Sequence, residues 1–555
     1  MGVNWSKNII STYNIGMDSN NSLNALAADK PYLFWGKTTD VAGTRSRIIW
    51  RFFEMLAGLL SFGTLILLTI FSFLLPAAVA VFVIIFDVLW LMRALSLSLH
   101  LIVSYRKVRK FLKIDWLNKL ETVKEFSSEI ELTSWKDIWH LIILPMYKEP
   151  KEIIEETFRA LAKSNYPHER LLVVVATEAR GGEDIETTAK NIADKYRNDF
   201  AKILVTSHPA NIPGEIAGKG SNEAWAAKEA TKLLVQTRGI NPKHVMVSSF
   251  DIDTRVYPQY FSCLTYTFLN SEDPLRTSYQ PIPLYNNNIW EAPMFSRLVA
   301  TGNTIWQLIQ QVRPEQMETF SSHSMNLDSL IKIGFWNTKV VSEDSLIFYQ
   351  AFLAFEGNYK VKPLFYPVSL DANIGENLIS TIGNVYRQQR RWAYGAEKIP
   401  YLFYGFLRTK KISLRKKLFH LWVILDGFWS WACSALIIFA FGWLPTTVGG
   451  EEFKSTVLAA NLPYVTSFLL SIAMFGIGVN ALVSFLLLPP RPKHVSYLAL
   501  FSFVLQWAFL PIIIIIFGSI PALDAQLRLL FGRYMGFWVT PKGGTQKQGR
   551  GRETV

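Results

Sequence analysis

The amino-acid sequence predicts an α/β domain, with a mostly parallel and Rossmann-like sheet, inserted between α-helical transmembrane segments. Apolar residues concentrate in two blocks, at about 52–103 and 418–519, and the stretch between them has a mixed composition. Within that stretch, short runs of branched apolar residues alternate with helical patterns, as in βαβ units. One of these runs, Val245–Phe250, is followed by Asp251 and Asp253. This places two carboxylates where an open α/β sheet binds ligands.

The composition of the 555 residues favours a membrane protein. Half of the residues are hydrophobic and only 18% are charged, below the ~25% of soluble domains. Lys and Arg, which give the net charge of +13, cluster beside the apolar blocks. Membrane lipids are therefore the expected partner, and nucleic acid is not. Two cysteines, Cys263 and Cys433, predict no disulfide framework.

The first apolar block predicts a helical hairpin. Phe52–Leu75 is almost uncharged and long enough to cross a bilayer, Pro76 breaks it, and the chain can cross back by about Val103. Asp87 and Arg93 lie in the second half. An ionisable group at membrane depth is a functional candidate, but a salt bridge to a neighbouring helix is the favoured interpretation.

The distribution of charge predicts that the middle region is cytoplasmic. Basic residues flank it on both sides: Arg106, Lys107, Arg109 and Lys110 before it, and Arg408, Lys410, Lys411, Arg415, Lys416 and Lys417 after it. The loop Gly449–Ser455 is expected outside. Five simple spans would also place the tail outside, although the tail is basic at Lys542, Lys547, Arg550 and Arg552. Either 495–530 is re-entrant or crosses twice, or the positive-inside rule fails there. A cytoplasmic tail is the preferred prediction.

The middle region, about 136–365, alternates predicted strands and helices. The strands are His140–Leu144, Leu171–Val175 and the run around Ile203–Thr206, and the helices are Lys151–Ser164 and Ile185–Tyr196. Glu149 and Glu178 follow the first two strands at the ligand-binding edge. Such carboxylates can accept hydrogen bonds from a nucleobase or ribose, although ordinary loop polarity explains each one equally well.

Asp251 and Asp253 are candidate metal ligands, since alternation along an extended chain puts both side chains on one side. Hard carboxylate oxygens suit Mg²⁺ or Mn²⁺. Any turn after a strand can contain such a pair, so this signal is weak by itself. Lys219 stands in a glycine-bearing loop, Gly214–Asn222, before a helical run, Glu223–Leu234. Such a loop suits an anionic ligand but lacks P-loop spacing.

Glu343 and Asp344 are adjacent, and one of them could act as a general base. Ser342 as a helix N-cap, with both carboxylates in the first turn, is a competing interpretation that does not exclude the first. The segment Arg387–Trp392 combines three arginines with a tryptophan. It could be an interfacial belt, or it could bind a diphosphate and stack on a sugar ring.

Taken together, these segments resemble the family 2 membrane glycosyltransferases, which include cellulose, chitin and hyaluronan synthases. The resemblance rests on Asp251-Ile252-Asp253, Ser342-Glu343-Asp344 and Gln388-Gln389-Arg390-Arg391-Trp392, the last of which fits the family's QxxRW pattern. Gly218–Asn222 and Trp538–Lys542 also look like family segments, and the resemblance spans about residues 48–545. Many members carry paired aspartates where this chain has Thr177-Glu178, which leaves the nucleotide open.

The resemblance implies an A-type glycosyltransferase fold and a nucleotide-sugar donor, with a UDP-sugar expected. It implies Mg²⁺ or Mn²⁺ on Asp251 and Asp253, and Asp344, beside Glu343, as the base. The donor-binding candidates are Glu149, Glu178, Lys219, Asp251, Gln388 and Arg391, and the acceptor-binding candidate is Trp392. The expected reaction is an inverting, metal-dependent sugar transfer to a growing polysaccharide at the cytoplasmic membrane face, with or without translocation of the product. There are two alternatives. One is the transfer of a single sugar to a membrane lipid, and the other is a transporter or receptor that senses nucleotide-sugars.

The predicted organisation follows from these segments. It comprises a cytoplasmic segment (1–50), a transmembrane hairpin (51–103), a basic linker (104–135), the transferase domain (136–365), interfacial helices with the QxxRW motif (366–417), transmembrane helices (418–520) and an amphipathic segment with a basic tail (521–555). The whole is expected to be a multi-pass protein of the plasma or inner membrane. The sequence leaves its oligomeric state open.

Overall fold

The computed structural model describes residues 25–493 and 495–542. The residues up to 24, and the predicted basic tail at Lys547, Arg550 and Arg552, lie outside the described residues. The described chain begins with short helical turns and continues into two long helices, α1 (Thr44–Leu74) and α2 (Pro76–Phe111). Pro76 is the first residue of α2, where the missing N–H of proline costs no hydrogen bond. The break between the two helices lies where the sequence predicts it, at Pro76.

The two charged residues in the second of these helices, Asp87 and Arg93, differ in their hydrogen-bond partners. Arg93 donates to Asp426 at 2.6 Å and to Ser430 at 2.9 Å, so Arg93 forms the predicted salt bridge to a neighbouring helix. Asp87 is buried, and its Oδ1 has no hydrogen-bond partner among the described residues.

After a short helix, α3 (Trp116–Glu121), the chain builds an eight-stranded mixed sheet in the order β3-β2-β1-β4-β7-β6-β8-β5. The strands are β1 (Trp139–Pro145), β2 (Leu171–Glu178), β3 (Lys202–His208), β4 (Val245–Ser249), β5 (Arg255–Val256), β6 (Thr277–Tyr285), β7 (Ser324–Asn326) and β8 (Lys360–Leu370). β8 extends beyond the predicted domain boundary at 365. The predicted α/β class inserted between apolar helices is confirmed.

The first half of the sheet is parallel, and this half positions the candidate site. β3, β2, β1 and β4 pair in parallel, with Leu141 opposite Leu172 on one side and Val247 on the other. β7 then pairs antiparallel with β4 and β6, and β8 pairs parallel with β6 and antiparallel with β5. Because the carboxyl ends of β1, β2 and β4 meet at one edge, the residues that follow these strands come together there.

Helices cover both faces of the sheet. They are α4 (Lys151–Ala162), α5 (Glu183–Lys195), α6 (Lys219–Thr231), α7 (Tyr260–Leu269), α8 (Met294–Gln311), α9 (Leu327–Ile333) and α10 (Glu343–Ala354). Successive β1 side chains alternate between two cores, with Leu141 and Ile143 on one face and Ile142 and Leu144 on the other. Such two-faced burial explains why β1 reads as a continuous apolar run.

The chain returns to the membrane block through α11 (Leu378–Ala393) and α12 (Lys398–Arg408). The helices that follow are α13 (Leu414–Phe439), α14 (Leu444–Val448), α15 (Gly450–Lys454), α16 (Val457–Leu486), α17 (Tyr497–Leu505), α18 (Leu510–Ile514) and α19 (Ile520–Leu530). Within the described residues, five helical segments are long and apolar enough to cross a membrane: Thr44–Leu74, Pro76–Phe111, Leu414–Phe439, Val457–Leu486 and Leu500–Leu530.

The last of these five segments begins and ends on the side of the sheet domain. Near its start, the Phe503 ring packs against Trp290 of the sheet domain, with centroids 5.0 Å apart. At its end, Arg51, near the beginning of α1, donates to the carbonyl oxygens of Leu529 and Leu530 at 2.6 and 2.5 Å. Both ends of the segment therefore lie on the side of the sheet domain, an arrangement compatible with the re-entrant alternative predicted for 495–530.

Candidate active site

A cavity of about 170 Å³ lies at the carboxyl edge of the parallel strands. All ten residues that the sequence singled out line it: Glu149, Glu178, Lys219, Asp251, Asp253, Glu343, Asp344, Gln388, Arg391 and Trp392. Segments that lie far apart in the sequence thus meet in one place. The sheet edge supplies one wall, and α6, α10 and α11 supply the others.

Asp251 and Asp253 follow β4, and both face the cavity. Asp251 Oδ2 accepts a 2.7 Å hydrogen bond from the Ser321 hydroxyl, and Asp253 Oδ2 accepts one of 3.1 Å from the backbone N–H of Asp371. Asp253 is only 1% exposed. Asp371, directly after β8, is a further carboxylate of the site that sequence reasoning missed. An aspartate at a strand end was the only available signal.

Lys219 is the first residue of α6, and its ammonium group lies among carboxylates. Its Nζ is 2.8 Å from Asp251 Oδ1, 2.7 Å from Asp344 Oδ2 and 3.6 Å from Glu223 Oε1. Burial disfavours the charged ammonium, but these carboxylates outweigh it and hold the pKa of Lys219 above its ordinary value. For Asp251, burial is likewise outweighed, chiefly by Lys219 and Lys542, and its pKa lies below its ordinary value.

The helix that carries Lys219 begins earlier than predicted. α6 starts at Lys219, not at Glu223, and glycines allow its first turn to pack closely. A Cβ at Gly218 would lie 2.5 Å from Cγ of Phe537, and one at Gly220 would lie 2.9 Å from Cβ of Glu343. The two glycines thus bring the helix start against neighbouring segments, which directs Lys219 into the cavity.

Glu343 and Asp344 lie in the first turn of α10, as predicted if Ser342 is the N-cap residue. The Ser342 side chain, however, makes no capping hydrogen bond. Asp344 Oδ2 accepts from Lys219, whereas Oδ1 accepts from no donor among the described residues. The nearest ring nitrogen, Nδ1 of His323, is 3.8 Å from Oδ1. One carboxylate oxygen of Asp344 is thus held by Lys219, and the other is buried without a hydrogen-bond donor among the described residues.

Glu343 has a different environment from Asp344. Carboxylate oxygens of Glu223, Glu343 and Asp344 all lie within 4.8 Å of one another. Burial, together with the neighbouring Asp344, raises the pKa of Glu343 to about 8. Glu343 is therefore held neutral at pH 7, which favours Asp344 as the proton acceptor of the pair.

Glu149 and Glu178, two of the residues predicted to bind the donor, already have partners within the protein. Glu149 Oε2 accepts from the backbone N–H groups of Tyr147 and Lys148 at 2.7 and 3.1 Å, and burial raises the pKa of Glu149. Glu178 forms a bidentate ion pair with Arg180, at 2.5 and 3.0 Å. Arg180 is a residue that sequence reasoning did not single out.

Helix α11 presents Gln388, Arg391 and Trp392 to the cavity, as expected for residues three and four positions apart. The Trp392 ring lies 6.0 Å from that of Phe320, centroid to centroid. The neighbouring Arg390 points elsewhere and donates to Asp524 of α19 at 2.8 Å. One arginine of the motif therefore faces the cavity, while another fastens α11 to the membrane block.

The segment after α19 closes the cavity. Phe537, Val539, Thr540, Pro541 and Lys542 all line it. The Lys542 ammonium forms an ion pair with Asp253 Oδ1, and the Arg391 guanidinium lies 4.6 Å from the Phe537 ring centroid. The family resemblance marked Trp538–Lys542, but the sequence did not indicate that it enters the cavity.

The residues present fit a divalent cation. Asp251 and Asp253 offer hard oxygen ligands on one wall, and each already contacts a cation, Lys219 and Lys542 respectively. The site therefore balances its carboxylate charge with positive groups at the place where a metal ion would bind.

Part of the chain matches a family of known proteins. Residues 247–520 match the family described as glycosyl transferase family group 2. Among solved structures, the chain is similar to the mannosyltransferase PcManGT from Pyrobaculum calidifontis in complex with GDP-Man and Mn²⁺, at 13% identity, 71% coverage of this chain, 99% of that chain and a TM-score of 0.37. It is also similar to S. aureus TarS 1-349 in complex with UDP-GlcNAc, at 15% identity, 65% and 95% coverage and a TM-score of 0.34. No curated protein matches the chain.

Proposed function

We propose that this chain, whose residues 247–520 match the family described as glycosyl transferase family group 2, transfers a sugar from a nucleotide-sugar to a growing polysaccharide with inversion at the anomeric carbon. The expected donor is a UDP-sugar. One observation carries the proposal: Asp344, whose Oδ1 accepts from no donor among the described residues, lines the same cavity as Asp251, Asp253 and Arg391. A proton acceptor, a candidate metal site and a diphosphate-binding cation thus share one cavity.

The reaction assigns a role to each group. The acceptor hydroxyl attacks the anomeric carbon from the face opposite the diphosphate, and the carboxylate of Asp344 takes the hydroxyl proton. The bond between the anomeric carbon and the diphosphate oxygen breaks, and its electron pair leaves with the diphosphate. Arg391 stabilises that charge through charge-assisted hydrogen bonds. A divalent cation held by Asp251 and Asp253 supplies further charge neutralisation when bound.

Lys219 supports this assignment through its two short contacts. It fixes Asp344 Oδ2 and pairs with Asp251, so it links the base to the metal-binding carboxylate. Its proposed role as a donor-binding residue depends on the diphosphate approaching this ammonium. Trp392, backed by Phe320, provides an aromatic surface on which an acceptor sugar can stack.

Donor entry requires a rearrangement of the C-terminal segment. The cavity of about 170 Å³ is smaller than the roughly 300–1,000 Å³ of ligand pockets. The ring of Phe537 and the ammonium of Lys542 occupy the wall next to Asp253. We infer that this segment withdraws when the nucleotide-sugar and its metal ion bind.

The proposed location is the cytoplasmic face of the membrane. Basic clusters flank the domain on both sides. A re-entrant fifth segment would leave four complete crossings, an even number, and would return the chain to the cytoplasmic side for the segment that reaches Asp253. Such a path is consistent with a cytoplasmic location of the basic tail.

Product analysis tests the proposal. Membranes containing the protein are incubated with a panel of radiolabelled UDP- and GDP-sugars, and products are separated into polymer and lipid fractions. We expect label from a UDP-sugar in polymer, with the anomeric configuration inverted, and no incorporation by the Asp344→Asn variant. Label confined to a single-sugar lipid would replace the polymer proposal, and binding without turnover would support the sensing alternative.

A further inference from the structure

Glu397 is a buried carboxylate that lies outside the cavity of the candidate active site. It ends a short 3₁₀ turn, Tyr394–Glu397, between α11 and α12. Its Oε1 accepts three hydrogen bonds of 2.8 Å each, from the backbone N–H groups of Val341 and Ser342 and from the Ser342 hydroxyl. A single oxygen atom thus holds the two residues that immediately precede Glu343 and Asp344.

These contacts take the place of a local helix cap. Ser342 stands at the N-cap of α10, but its hydroxyl donates to Glu397 and does not cap the helix. The start of α10, and with it the position of Asp344, is therefore fixed by a side chain that follows the QxxRW helix. α11 in turn carries Arg391 and Trp392, so Glu397 connects the base to the helix that supplies the predicted diphosphate and acceptor contacts.

We propose that Glu397 is a positioning residue that sets Asp344 against the acceptor hydroxyl, an inference that rests on the proposed role of Asp344 as base. Loss of the carboxylate leaves the buried N–H of Val341 and the half-buried N–H and hydroxyl of Ser342 without their acceptor, and leaving such groups unsatisfied is unfavourable. The loop then shifts to find other partners. A misplacement of about 1 Å reduces the rate by roughly 10²-fold.

A second cavity lies next to Glu397 and makes a chemical-rescue experiment feasible. Its volume is about 380 Å³, and its lining includes Glu397, Tyr394, Lys339, Tyr534 and Phe537. This space is large enough for a small carboxylate to reach the position vacated in Glu397→Ala. Acetate restores the methylene carbon as a methyl group together with the carboxylate, and so restores the missing acceptor.

Three variants separate positioning from general stability. Glu397→Ala removes the acceptor, whereas Glu397→Gln keeps a carbonyl oxygen that can accept the same hydrogen bonds. Glu318→Ala is the matched control, because Glu318 also pairs with residues at this junction. It accepts from the Tyr349 hydroxyl at 2.6 Å and forms an ion pair with Lys398, but it makes no hydrogen bond to residues 341–344.

Two readouts are measured on the full-length protein in membranes or detergent. Hydrogen exchange of a peptide covering residues 341–344 reports the contact itself, and turnover of the labelled UDP-sugar reports its catalytic effect. We expect Glu397→Ala to exchange faster and to lose about 10–100-fold in kcat with KM for the UDP-sugar nearly unchanged. Acetate should restore both readouts, Glu397→Gln should resemble the wild type, and Glu318→Ala should lower the melting temperature but not kcat.

Unchanged exchange or unchanged turnover in a folded Glu397→Ala protein would overturn the inference, provided that Asp344→Asn loses activity in the same assay. If Asp344→Asn keeps its activity, the proposed role of Asp344 as base is wrong, and the inference about Glu397, which rests on that role, is wrong with it. Should Glu397→Ala not accumulate, Ser342→Ala removes one of the three bonds from the other side. Faster exchange with a smaller loss of turnover then supports the inference, and wild-type turnover contradicts it.

Discussion

Lys219 Nζ donates a 2.7 Å hydrogen bond to Asp344 Oδ2, while the other oxygen of Asp344 accepts from no donor among the described residues. The ammonium group also contacts Asp251 at 2.8 Å. This arrangement orients the proposed base and ties it to the proposed metal ligand. A carboxylate that lines the cavity and has an oxygen without a donor is a candidate to accept a proton from an acceptor hydroxyl.

Asp344→Asn should reduce turnover by at least ~10²-fold, since removal of a well-placed base costs ~10²–10⁴ in rate. The melting temperature should change little, because Lys219 keeps Asp251 and Glu223 as partners. Donor affinity should also survive. Turnover and nucleotide binding of the purified variant check both expectations. Glu343→Gln is the control, and a large loss of turnover in that variant alone would move the base to Glu343.

Asp253→Asn should abolish transfer while the protein stays folded, because it removes one charged oxygen ligand of the proposed metal site. Binding of Mn²⁺, followed by the electron paramagnetic resonance signal of the free ion, should weaken as well. EDTA should inactivate the wild type, and added Mn²⁺ or Mg²⁺ should restore it. Full activity of the variant, or of the wild type in EDTA, contradicts a metal-dependent mechanism.

Trp392→Ala should weaken acceptor use or shorten the products, because a stacked ring acts through contact and not through proton transfer. The Trp392 ring also packs against Phe320 and Tyr285, so Trp392→Phe is the control that retains an aromatic surface. Product length and acceptor KM are the measurements. An equal loss for both variants, with unchanged product length, would indicate a packing role.

Cysteine labelling tests the topology, with residues 104–417 predicted to be cytoplasmic. Cysteines at Thr237, near Lys228, and at Arg533, beyond the re-entrant segment, should escape an impermeant reagent in intact cells. One at Glu451, beside Gly449, should react. The native Cys263 and Cys433 are buried and give a low background. Labelling at Arg533 but not at Thr237 would show that the fifth segment crosses the membrane.

The stability of the protein should depend on pH through Glu397. Burial raises the pKa of this carboxyl to about 7 from an ordinary 4.5. The folded state therefore binds a proton more tightly than the unfolded state, and the stabilisation present at low pH is lost as the pH rises through 7. The melting temperature of the wild type relative to Glu397→Gln should fall between pH 5 and pH 8. A constant difference between the two proteins would show that the carboxyl does not titrate in this range.

Local patterns in the sequence were sufficient to predict the fold class and ten of the residues that line the cavity. Branched apolar runs alternating with helical periods predicted the sheet, because burial on both faces leaves a continuous apolar strand. Asp251 and Asp253 after β4 and Asp344 at the start of α10 were identifiable because strand ends and helix starts place such residues at an edge. These signals depend on neighbours within a few residues.

The contacts across the cavity could not be predicted in this way. The Lys219 ammonium pairs with Asp251 and Asp344, Lys542 pairs with Asp253, and Glu397 holds Ser342. Each contact joins segments whose separation in the sequence carries no information about their distance in the folded chain. The antiparallel insertion of β7 between β4 and β6 was also not apparent, because its three residues are too short to show a period.

By itself, the sequence determined the α/β domain between apolar helices and the residues that can carry its chemistry, because composition and periodicity are local properties. Only the tertiary structure decided which charges pair, and that the apolar segment 500–530 starts and ends on the side of the sheet domain. Hydropathy measures whether a segment prefers lipid to water. Its path through the membrane depends on what its ends contact, here Trp290 at the start and Arg51 at the end.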